Sequence, residues 1–85
     1  VNQKERDVLA RIYSAVHTVS TLTPKNPADI GAITYNLPIA TKGSARIADA
    51  ISNFGYGDLT LAGEYLDEAE EILARRPEPS GGGER

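Results

Sequence analysis

Apolar side chains recur along this chain at intervals of three and four residues, the spacing that lines one face of an α-helix. The first such run spans about residues 3–22. Leu9, Ile12, Val16 and Val19 share one face, and Val8 and Ala15 widen it. Asn2, followed three residues later by Glu5, has the pattern of a capping box. Thr23-Pro24 ends the run, because proline disfavours α geometry in the residue before it.

The second run is short, about 27–37. Asn26 is a capping residue, Pro27 suits the first helical position, and Asp29 meets the positive end of the helix dipole. Ile30, Ile33 and Leu37 follow at helical spacing until Pro38 interrupts the pattern.

A third run, about 39–54, carries Ala40, Ser44, Ile47, Ile51 and Phe54 on one side, with Gly43 and Ala50 close by. Small residues there allow a neighbouring helix to approach closely. The start of this run is open: residues 38–43 read either as helix or as a loop capped by Ser44. The glycine-rich stretch Asn53–Gly57 stops it. Asp58 then caps a fourth run, about 58–76, whose seam is Leu59, Ala62, Leu66, Ala69 and Leu73. Pro77 stops that helix.

No stretch alternates apolar and polar residues as a half-buried strand does. The pattern predicts an all-α fold: a small antiparallel bundle of four helices (about 3–22, 27–37, 39–54 and 58–76) in one domain, 1–76. Residues 77–85 contain no large apolar side chain and are expected to form a flexible, disordered tail.

Composition narrows the function. With no cysteine and one histidine, the chain has neither disulfides nor the ligands of a structural zinc site. His17 has no evident carboxylate partner for acid–base work, and no phosphate-binding motif follows a strand. No catalytic residue, cofactor or metal ligand is expected. Glu64, Asp67, Glu68 and Glu71 crowd one side of the fourth helix, but the Glu-x-x-His motif of a di-iron bundle is missing. No apolar run is long enough for a membrane span, and the N-terminus lacks the apolar core of a signal peptide. A cytoplasmic location is the default expectation.

The net charge of −3 is unevenly placed. Residues 1–57 carry six basic and four acidic side chains, a balance of +2, whereas 58–76 carry two basic and six acidic, a balance of −4. This disfavours nucleic acid and acidic membranes as partners. One DNA-binding arrangement is still compatible with the spacing. Residues 32–54 have the length of a helix-turn-helix with a turn at Thr41–Gly43, from which Lys42 and Arg46 would face the duplex.

The fourth helix supplies the stronger candidate. A second apolar line, Leu61, Tyr65 and Ile72, lies about 100° from its seam. That arc is wider than one neighbour requires. Either the helix sits between two others, or the second line meets another chain. Tyr13 and His17, one turn apart on the first helix, form a smaller candidate patch. The expected function is a small non-enzymatic protein–protein interaction module, self-associating through an apolar helix face.

Overall fold

A computed structural model describes residues 2–75. They form three α-helices: α1 (Gln3–Leu22), α2 (Leu37–Gly55) and α3 (Leu59–Ala74). A π-helical stretch, Ala32–Asn36, runs directly into α2. No strand occurs among the described residues, and no helix among them is long and apolar enough to cross a membrane. The expected tail at 77–85 lies outside the described residues.

The four-helix expectation is corrected to three. The second and third runs are not separate helices: helical backbone starts at Ile30 and continues to Gly55. Pro38 does not break it. A proline has no N–H to give the carbonyl four residues back, and its ring crowds that carbonyl. Here the turn just before Pro38 is widened to five-residue hydrogen bonds, such as Leu37 N–H to the Ala32 carbonyl. The wide turn takes up the proline at the N-terminal end of α2. Residues 38–43 are therefore helix.

The start of this element is also shifted. Asn26 makes only a local turn, accepting from the Ala28 N–H. Asp29 is the effective cap: its carboxylate accepts from the Ala32 N–H and its carbonyl from the Ile33 N–H.

The other ends follow local chemistry. Asn2 and Glu5 form the reciprocal capping box, at 2.8 and 3.1 Å. Gly57, at φ +85°, closes α2 in a left-handed conformation. Its N–H donates to the Phe54 carbonyl and that of Asp58 to Asn53, a paired closure of the helix end. The Asp58 carboxylate simultaneously accepts from the Leu61 N–H at 2.9 Å and starts α3. Two helices are thus joined within three residues.

That tight turn makes α2 and α3 antiparallel. Gly43, early in α2, lies against Leu73, late in α3. Arg11 of α1 reaches Asp67 and Glu70 of α3, and further along both helices Thr18 shares a groove with Ala74, so α1 and α3 run parallel. The chain is an up-down-up bundle of three helices. Its core joins Val8, Ile12, Ala15 and Leu22 to Ala40, Ile47 and Ala50 and to Ala62, Leu66, Ala69 and Leu73. Leu66 is completely buried, a contribution of roughly 1.5–3 kcal/mol relative to exposure.

Candidate functional site

The apolar arc of α3 is largely used within the chain. Ala62, Leu66 and Ala69 have no exposed surface, because α3 packs against both other helices. Leu61, Tyr65 and Ile72 are half-buried. Tyr65 packs against the core while the guanidinium of Arg46 lies over its ring, 5.7 Å from the centroid. Ile72 borders a groove with Lys42, Arg46 and Glu68.

The acidic side of α3 is engaged too. Arg11 grips Glu70 with both Nε and Nη2, at 2.9 and 2.8 Å, and reaches Asp67 at 2.7 Å. Hydrogen bonds to Glu70 and then Asp67 raise the Arg11 pKa above the usual arginine value. Arg46 meets Asp49 at 3.0 Å and Glu68 at 3.6 Å. Asp67 and Glu70 tie α3 to α1, and Glu68 ties it to α2, whereas Asp49 pairs with Arg46 within α2. Among the described residues, no group of three or more His, Asp or Glu side chains is placed to hold a metal ion.

The helix-turn-helix geometry does not form at 32–54. Thr41–Gly43 lie inside α2, with no turn, and Arg46 is held by partners on its own chain.

The exposed apolar surface is elsewhere. Tyr13 (67% exposed) and Val16 (46%) of α1 and Ile51 (47%) of α2 are exposed, as are Ile30, Tyr35 and Tyr56. A shallow groove of about 160 Å³ between α1 and α2 is lined by Val16, Val19, Ser44, Ile47, Ala48 and Ile51.

The groove arises from rotation of two helices relative to the apolar seams of the sequence. The α1 seam of Leu9, Ile12, Val16 and Val19 is turned by roughly 60° at 100° per residue, so that Val8, Ile12 and Ala15 point inward. In α2, Gly43 and Ala50 take the core side, and Ser44 and Ile51 move to the rim. Both turns have the same origin. Each helix must face α3 as well as its other neighbour, and the small residues Ala15, Gly43 and Ala50 admit the closest approach.

This face carries no formal charge. Residues 12–22 include no Asp, Glu, Lys or Arg. The three charged residues of α2, Lys42, Arg46 and Asp49, are spaced to lie on its other side.

Compared with family models, curated proteins and solved structures, the chain matches none.

Of the residues picked from sequence, Tyr13 and His17 are exposed one turn apart on α1, and neither lines the groove. Leu61, Tyr65 and Ile72 belong to a different side, at the junction of α3 with α2. Val16 and Ile51 were hidden from sequence reasoning because they fall within regular apolar seams. The readable signal was the lack of charge from Ile12 to Leu22 on a helix that packs only one side.

Proposed function

We propose that this chain is a small non-enzymatic helical interaction module, an adaptor, regulator or subunit, whose foremost partner is another copy of itself. The observation that carries this reading is the exposed, apolar, charge-free face shared by α1 and α2. Exposed apolar groups in isolation are ordinary, but a contiguous uncharged patch spanning two helices is the composition of an interface centre. Burying it desolvates no ion, and the acids of α3 remain on the opposite side, where they favour solubility.

A photoreactive side chain at position 48, in the groove, is expected to attach covalently to a protein chain in the native cell. The same group at position 64, on the exposed acidic side of α3, is expected to give far less adduct. Equal labelling from the two positions, or none from either, defeats the reading.

A further inference from the structure

We infer that a second groove, between α2 and α3, binds a carboxylate carried on a branched apolar group, as at the carboxyl end of a protein whose last residue is leucine, isoleucine or valine. This groove has a volume of about 320 Å³ and is lined by Lys42, Ala45, Arg46, Glu68 and Ile72. It shares no lining residue with the α1–α2 groove, so the inference stands independently of the reading above.

The two cations of this groove are positioned but not used up. Arg11 shows the contrast, since its guanidinium is hydrogen-bonded to both Glu70 and Asp67. Arg46 meets Asp49 at 3.0 Å but Glu68 only at 3.6 Å, beyond hydrogen-bond reach. Its planar fork therefore keeps N–H donors for a further acceptor. Stacking over the Tyr65 ring, 5.7 Å from the centroid, fixes where those donors lie. Lys42, one turn earlier on α2, is exposed and forms no ion pair among the described residues.

The lining selects the ligand. Lys42 and Arg46 against Glu68 leave one positive charge in excess along the groove, which matches a monoanion. Asp49 holds Arg46 from outside the lining. A phosphate would bring more charge than this wall balances, and nothing apolar to set against Ala45 and Ile72. Those two side chains stand in the same small groove as the cations, so the acid and the apolar group must belong to one residue of the ligand. An aspartate or glutamate side chain offers the acid alone. A terminal leucine, isoleucine or valine offers both on one α-carbon, and capture of a terminal carboxylate is an established mode of peptide recognition.

Exposure sets the strength. The Arg46 side chain keeps 37% of its surface in water and Lys42 is exposed, so solvent screens both charges. Binding is therefore modest, with a dissociation constant of about 0.1–1 mM, and it weakens as salt is raised.

Titration of the isotope-labelled chain with acetyl-glycyl-seryl-leucine, followed by amide chemical shifts, tests this. Saturable shifts are expected at Lys42, Arg46 and Ile72. The same peptide with its carboxyl end amidated, or ending in glycine, is expected to bind roughly tenfold more weakly or worse. Lys42→Gln is expected to weaken binding about fivefold, with circular dichroism and melting unchanged because Lys42 is exposed, whereas Lys25→Gln leaves binding as it was. Shifts that do not saturate by about 10 mM peptide, equal binding of acid and amide, or equal effects of the two lysine variants overturn the inference. Isocaproate, titrated alongside, separates the two sources of this chemistry. Weaker binding than the peptide supports a protein carboxyl end, and binding as tight or tighter assigns the groove to a free short-chain acid and removes the protein terminus.

Discussion

Gly43 of α2 packs directly against the side chain of Leu73 of α3. A β-carbon built at position 43 would stand 2.5 Å from Leu73 Cδ2 and 2.9 Å from its Cγ. No real β-carbon tolerates those distances, so the spacing of the two helices depends on the missing side chain. Leu73 is itself 4% exposed and has little room to retreat.

Gly43→Ala is accordingly expected to lower stability by about 1–2 kcal/mol. Alanine gains about 1 kcal/mol of helix propensity, but overpacking in a filled core costs about 1–3 kcal/mol, and displacement of Leu73 disturbs its neighbours as well. Gly55 provides the control, because nothing lies within 4 Å of a β-carbon there. Gly55→Ala is expected to leave the melting temperature unchanged or to raise it. Thermal melts of the two variants decide the matter, and a stabilised Gly43→Ala would show that the helices part at no cost.

The Arg11 clamp gives a prediction with a salt signature. Arg11→Ala removes the hydrogen bonds to Glu70 and Asp67 together, with an expected loss of about 1 kcal/mol at low salt. The side chains are partly exposed, at 35% for Arg11 and 72% for Asp67, so solvent already screens the charges. In concentrated salt the difference between variant and wild type should shrink. Urea unfolding at two ionic strengths measures it. A loss that does not depend on salt would instead assign the effect to the packing of the arginine stem.

Pro38→Ala tests the origin of the wide turn. Alanine restores the N–H and removes the ring, so residues 32–36 can return to ordinary α geometry. Stability is expected to hold or to rise, by up to about 1 kcal/mol. Slower hydrogen exchange through residues 32–40 should accompany the change. A fall of more than about 1 kcal/mol would mean that side-chain packing, rather than the proline, holds the turn open.

Much of the local structure was legible in the residues. The Asn2–Glu5 capping box and the Asp58 cap were correctly read, because each depends on groups within four residues of one another. The α3 seam from Ala62 to Leu73 also matched the buried face, because a helix lodged between two others buries the middle of its apolar arc. Asn26 misled because two capping residues, Asn26 and Asp29, stand three apart, and which of them caps depends on where the loop returns to the bundle. Pro38 misled for a different reason. Its cost is local, but the remedy, a widened turn, is acceptable only where the neighbouring packing leaves room for it.

Residue spacing and local caps alone show that this chain is helical, where every helix end but the start of α2 lies to within two residues, and that α3 has an apolar arc wider than one neighbour needs. Those properties come from hydrogen bonds and side-chain periodicity within a few residues. How many helices form, and which edge of each seam faces inward, depends on how the helices pack. Val16 and Ile51 sit in regular apolar patterns, yet they are left at the surface because α1 and α2 turn toward α3. A three- and four-residue spacing defines a stripe, not the direction in which a third helix will lie. The exposed face, and with it the functional proposal, exists only once all three helices have packed.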